Sequence, residues 1–246
     1  PDGAALVMVL DVALKNPGDL AFNPEAPEQL WITSQDDGGL AVLTNPGEED
    51  WEGYKTMALG EHFLHEVIAI AFGDSETFGT CGESRNEVDG NNDDFMGPVL
   101  WPSDIDAYPK QGLSCDGVHL DMLHDTPLCM GIAADTANAF YVFNGLAGVI
   151  DWYDFRVPHE PGGDDHSDGQ KRRYNDMDLE RAPGVPSNLV LDGGWLYIAD
   201  SGNGRVLRLE TDSGTQQGSI PHYEDEQPLA VIVDAVVEEI IPASSG

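Results

Sequence analysis

Basic side chains are scarce in this chain: 11 Lys and Arg stand against 45 Asp and Glu, a formal net charge of −34. Such a surface repels nucleic acid and anionic membranes, so neither is an expected partner. It draws cations, basic proteins or hydrated salt. A solvated acidic surface suited to a salty or extracellular habitat and multivalent cation binding are both consistent with it. Long apolar runs are absent as well, since no stretch reaches the length of about 18 residues that a membrane-crossing helix needs. The opening residues, PDGAALVMVLDVAL, lack a basic start and are interrupted by Asp11, so they read as a β-strand and not as a signal peptide. Sustained helical periodicity is missing throughout. So are the HExxH, GxSxG, phosphate-loop and dinucleotide-binding patterns, and nucleophilic catalysis has little support. Cysteine numbers only three, Cys81, Cys115 and Cys129, at spacings that make neither a dense disulfide framework nor a metal-ligand set.

What the chain has in quantity is short β-rich runs cut by Gly, Asn, Asp and Pro. The clearest case is Pro186 to Glu210, PSNLVLDGGWLYIADSGNGRVLRLE. Asp192-Gly193-Gly194 parts its first two apolar runs and Asp200-Ser201-Gly202-Asn203-Gly204 the last two, the pattern of antiparallel strands joined by tight turns. WLYIADSGNGRVLRL resembles an NHL repeat, one blade of a β-propeller. The resemblance covers about one blade closely and the others loosely, and it implies an all-β propeller of four-stranded blades. Blades are expected at roughly 19–59, 66–117, 128–176 and 186–221, in a single domain over 1–246. Residues 227–240 then start a further blade or a closing strand. A closed four-blade ring and a six-bladed ring of which four blades are visible both stay open. Ala4–Val12 reads as a strand borrowed to close the ring. A long insertion, Glu83 to about Gly117, interrupts the second unit and carries Gly97–Trp101 as its third strand. Cys81 and Cys129 fall in or beside strands of adjacent units, so a Cys81–Cys129 disulfide is expected, with Cys115 left in a loop; three free thiols is the other reading.

All seven histidines fall outside the predicted strands. In a propeller, His62 and His65, His119 and His124, and His222 lie on connections that reach one end of the axis. A channel mouth lined by imidazole would suit zinc, copper or iron. Carboxylates at Glu61, Glu66, Asp121, Asp125, Glu224 and Asp225 stand nearby. Each histidine taken alone reads equally well as a hydrogen-bonded or solvated side chain. A second cluster, Pro158 to Gly169, carries His159, Asp164, Asp165, His166 and Asp168 on glycine-rich backbone. Its oxygens could wrap calcium, and the topology puts it on the opposite face. Asp89 to Asp93 begins like an EF-hand loop, but Asp94 and Leu100 stand where that motif needs Gly and Glu. Trp101, in GPVLWPSD, carries a weak resemblance to secreted copper-binding proteins of methane-oxidising bacteria. Ser103 stands where those would have histidine, so no ligand carries over. Lys171-Arg172-Arg173 reads as internal counter-charge, two of the three pointing one way along a strand.

The expectation is therefore a metal-binding propeller, extracellular, periplasmic or at the cell surface. Calcium would stiffen its acidic loops and a transition metal would sit at the histidine mouth. A lyase or hydrolase using that metal as a Lewis acid is the enzymatic alternative. A metal-free scaffold in an extracellular assembly, with a basic protein partner, is the other.

Overall fold

The computed structural model describes residues 14–57, 62–85, 94–108, 116–220 and 226–243. Four antiparallel units follow one another along the chain. The first sheet contains β1 (Leu20–Phe22), β2 (Gln29–Ser34), β3 (Gly39–Thr44) and β4 (Glu52–Met57), in that order. The second contains β5 (Val67–Phe72), β6 (Thr77–Gly82), β7 (Val99–Pro102) and the two-residue β8 (Asp121–Met122). In the third, β9 (Cys129–Ala134), β10 (Ala139–Asn144), β11 (Val149–Asp154) and β12 (Gln170–Tyr174) make the same meander. The fourth is built on β13 (Leu189–Asp192), β14 (Trp195–Asp200) and β15 (Arg205–Glu210). Helical structure among the described residues is limited to four short 3-10 turns.

The turns obey local chemistry. Gly193 and Gly194 both sit at positive φ (57° and 81°), which suits the two-residue hairpin between β13 and β14. Asp200 holds the next turn: its carboxylate accepts from Asn203 Nδ2 at 2.9 Å, Arg205 Nε at 2.7 Å and Glu180 N–H at 2.8 Å.

The end of the chain departs from the sequence reading. The fourth unit was expected to run to residue 221 and to end in its own outer strand. Instead β16 (Thr215–Ile220) and β17 (Leu229–Val233) extend the third sheet to six strands, in the order β16-β17-β12-β11-β10-β9, with β17 parallel to β12. β18 (Val237–Ile241) takes the edge of the fourth sheet beside β15. Residues 227–240, expected to open a further unit or close the ring, thus supply strands to two existing sheets. The composition explains the exchange. TQQGSI has almost nothing apolar to lay against the fourth sheet and is exposed, whereas β18 brings Val237 to the core and Glu238 to Arg208, 2.5 Å away. Ala4–Val12 lies outside the described residues.

The first strands of successive sheets pack on one another, β1 on β5, β5 on β9 and β9 on β13. One core joins the first and second sheets around Trp31, Phe78 and Trp101. A larger one joins the second, third and fourth around Phe140, Tyr153 and Leu196. β3, β9, β10 and β11 are buried almost end to end, as strands covered on both faces must be, while β14 alternates between buried and half-buried positions. Cys81 on β6 and Cys129 on β9 form a disulfide, with Cα atoms 5.7 Å apart, between the second and third sheets. This is the expected pair. Cys115 lies outside the described residues.

Candidate metal centre

The seam between the second and third sheets gathers most of the described histidines. β8 is the outer edge of the second sheet, and the residues just before it, His119 and Leu120, belong to the connection from third to fourth strand. Residues 155–169 make the equivalent connection in the third sheet. Topology therefore brings these two connections to the same end of neighbouring sheets, and hydrogen bonds dock them: His159 N–H donates to the Leu120 carbonyl at 3.1 Å and Gly162 N–H to that of His119 at 2.9 Å.

Side chains converge there. Asp121, His159 and His166 each offer one ligand atom, and these atoms lie within 4.8 Å of one another. Asp121 has no exposed surface. Its Oδ1 accepts from Met122 N–H at 2.7 Å and meets His166 Nδ1 at 2.8 Å. Its Oδ2 is buried and has no hydrogen-bond partner among the described residues. Burial pushes the Asp121 carboxyl above its ordinary value, and the neighbouring His166 and His159 only partly offset this. His159 Nδ1 lies 2.7 Å from the Glu160 carbonyl, an arrangement that puts the ring proton on Nδ1 and the lone pair on Nε2. That Nε2 is buried and also lacks a hydrogen-bond partner among the described residues.

The rings form a row. Phe63 stacks on His119 at 4.0 Å, His119 meets His159 at 5.1 Å, His159 meets His166 at 5.5 Å, His166 meets His124 at 6.2 Å, and His124 lies against Phe95 at 4.1 Å. His124 is fastened elsewhere, its Nδ1 and backbone N–H both on the Glu226 carboxylate. The other Glu226 oxygen binds Lys171 Nζ at 2.5 Å, and Lys171 also reaches Asp125 at 2.5 Å. Burial alone would raise the Glu226 carboxyl, but His124 and Lys171 hold it below the usual carboxylate value. Lys171 is thus internal counter-charge, as expected. Arg173, two residues on, pairs with buried Asp151 at 2.7 Å, and Arg172 lies over the Trp152 ring at 4.4 Å.

The sequence-based site is only partly what the fold assembles. His119, His124 and the Pro158–Gly169 loop were placed on opposite faces, whereas the structure puts them in contact. The error came from ending the second unit at residue 117, which hid β8 and turned a connection inside one sheet into a connection between sheets. The groove of about 350 Å³ between the inner strands is lined by Asp19, Leu20, Ile70, Ile132, Leu189, Val190 and neighbours, with no histidine among the described lining residues. Of the expected ligands, His166 belongs to the converging trio and His119 and His124 flank it. His65 precedes β5 and stands outside the trio. His62 begins a short 3-10 turn, its side chain is outside the described residues, and so is His222. The expected calcium aspartates do not join a ligand group of three among the described residues. Asp164 is exposed, Asp165 accepts from Ser167 N–H and Oγ within its own turn, and Asp168 accepts from Val157 N–H at 3.2 Å. The EF-hand-like start, Asp89–Asp93, lies outside the described residues. Trp101 is fully buried, its Nε1 donating to Thr80 Oγ1 at 2.8 Å, and it meets the row edge-on at Phe63 and His119, 6.3 and 6.5 Å away. The members of the trio that were not among the expected ligands are Asp121 and His159. The available signal was Asp121 lying between two histidines, His119 and His124.

No family model and no curated protein matches this chain. Solved structures do resemble it. A functionally unknown protein from Desulfotomaculum acetoxidans aligns over 96% of this chain at 11% identity and a TM-score of 0.53. Virginiamycin B lyase from Staphylococcus aureus aligns over 94% at 11% identity and a TM-score of 0.46. The PQQ-bound aldose sugar dehydrogenase of Streptomyces coelicolor aligns over 92% at 12% identity and a TM-score of 0.33. The chain spans 58% and 56% of the first two proteins and 84% of the third. At these identities the likeness is one of fold alone, and the two enzymes, below 0.5, contribute nothing to the functional reading. The chain is an all-β protein that shares its sheet arrangement with the Desulfotomaculum protein.

Proposed function

We propose that this protein binds a transition metal through Asp121, His159 and His166, at the seam of its second and third sheets. One observation carries the reading: a fully buried carboxylate with an oxygen lacking a hydrogen-bond partner among the described residues stands beside a buried imidazole nitrogen that also lacks one among them. A buried anion left so incompletely paired costs several kcal/mol by rough estimate, and a divalent cation reverses that sign. Two imidazoles and one carboxylate suit zinc, iron or manganese, with copper also within the donor class. The metal's task on this reading is binding and cross-linking, not turnover.

The series of meander sheets packed through their first strands supports a β-propeller, and the Asp200 turn supports NHL-like blades within it. The Cys81–Cys129 disulfide supports a place outside the reducing cytoplasm, secreted or at a cell surface.

Elemental analysis of the purified chain before and after chelation tests the proposal, with Asp121→Asn alongside. A transition metal near one per chain, absent from the variant, is the expected result. Calcium alone would move the site to the acidic loop, and a metal-replete preparation without any stoichiometric ion would overturn the reading.

A further inference from the structure

Resting on that reading, we infer that His119 is the fourth protein ligand, so that the ion's shell is filled by the chain and the centre is a closed cross-link. Geometry comes first. Metal–nitrogen bonds of about 2 Å at tetrahedral angles place two imidazoles on one ion with ring centroids about 5 Å apart. The His119–His159 and His159–His166 separations, 5.1 and 5.5 Å, both have this spacing, and the rings stand edge to face at 82° and 62°. His124, at 6.2 Å from His166, is farther out, and its Nδ1 is committed to Glu226.

Position and support follow. His119 is two residues before Asp121, in the short link between the 3-10 turn Asp116–Val118 and β8. His119 is only 5% exposed. Its carbonyl is tied to Gly162 of the loop that carries His159 and His166, so donor and loop move as one. Phe63 stacked on its face at 4.0 Å supplies the apolar backing that holds a ligating ring in plane. Three imidazoles and a carboxylate make a tetrahedral set with no vacant position for substrate. That is the form of a structural rather than a catalytic zinc-type centre. The four donors come from the β8 edge and from the loop of the next sheet, so the ion would tie the two together.

Cobalt(II) substitution of the whole chain reads the coordination number directly from the visible spectrum. The chelated protein is titrated with Co²⁺, as are His119→Gln, His119→Gly and Asp121→Asn, each checked for native far-ultraviolet dichroism. We expect wild type to take one Co²⁺ with the intense bands of a tetrahedral ion. His119→Gln should bind more weakly, by more than the roughly 10–100-fold that loss of an outer hydrogen-bond partner costs, with the faint bands of higher coordination. Free imidazole added to His119→Gly should restore the tetrahedral spectrum, which a merely structural role for His119 would not produce. A wild-type spectrum left unchanged by both His119 substitutions overturns this inference while leaving the three-ligand site standing. A wild-type chain that takes no Co²⁺ overturns the metal site itself, and this inference with it.

Discussion

Asp121 is the residue on which the site turns, and its burial makes a two-sided prediction. In the metal-free chain, Asp121→Asn removes a carboxyl whose pKa is raised by burial, so the variant should melt at a higher temperature than wild type at pH 7 in the presence of chelator. With the metal supplied, the order should reverse, because only wild type gains stabilisation from the bound ion. Scanning calorimetry with and without metal reads both halves, and a variant whose melting temperature rises with metal as much as that of wild type would remove Asp121 from the ligand set. Glu226 predicts the opposite pH behaviour. Its folded-state pKa is depressed, so its contribution is present above its unfolded value of about 4.3 and is lost as pH falls through the folded value. The melting temperature of wild type should therefore drop more steeply than that of Glu226→Gln between pH 5 and pH 3, as roughly bracketed by that value. Parallel curves would mean that the His124–Glu226–Lys171 chain of contacts carries no ionic stability.

At the scale of elements, the disulfide and one glycine carry separate expectations. Cys81 and Cys129 are 48 residues apart, and closing a loop of that size stabilises by about 4 kcal/mol in the chain-entropy account. The double variant Cys81→Ser, Cys129→Ser should lose about that much in urea unfolding, with the midpoint lowered. At Gly97 a Cβ would stand 1.8 Å from the Leu123 carbonyl oxygen, closer than any neighbour can yield. Gly97→Ala should push β7 away from the segment that carries Asp121 and His124. It should cost several kcal/mol as an order of magnitude and weaken metal uptake together with stability. Most strands were legible in the sequence because their turns are written in Gly, Asn and Asp and their bodies are four to six β-rich residues. Gln29–Ser34, Thr77–Gly82, Cys129–Ala134 and Ala139–Asn144 lie between such turn residues. β8 was not legible. Asp121-Met122 is too short to show a period and is a strand only because β7 offers it an edge. That one omission misplaced the histidines, each of which had been noticed singly. Asp121 looked like one of many acidic residues, since nothing in its neighbours announces that it will be buried.

For the whole molecule the dominant fact is charge. A net −34 on 246 residues repels itself, and mobile ions weaken that repulsion over a distance of about 10 Å at 0.1 M salt. The melting temperature should climb as NaCl is raised from about 0.01 to 1 M, most steeply at the low end where the screening length changes most. A flat response would mean that the acidic groups are already neutralised by tightly held cations. The seam between the second and third sheets behaves differently, because its fastenings are local. Cys81–Cys129 pins it on the side of the inner strands, and the Asp121–His166 contact with the docked loop pins it at the outer edge. A joint riveted along one margin can still swing open like a book, but one riveted along both can only shear. Pulled apart in a force experiment, the two sheets should therefore come away as one block from their neighbours before they part from each other. Reducing agent and, on the proposed metal site, chelator should each restore only half of the hinge.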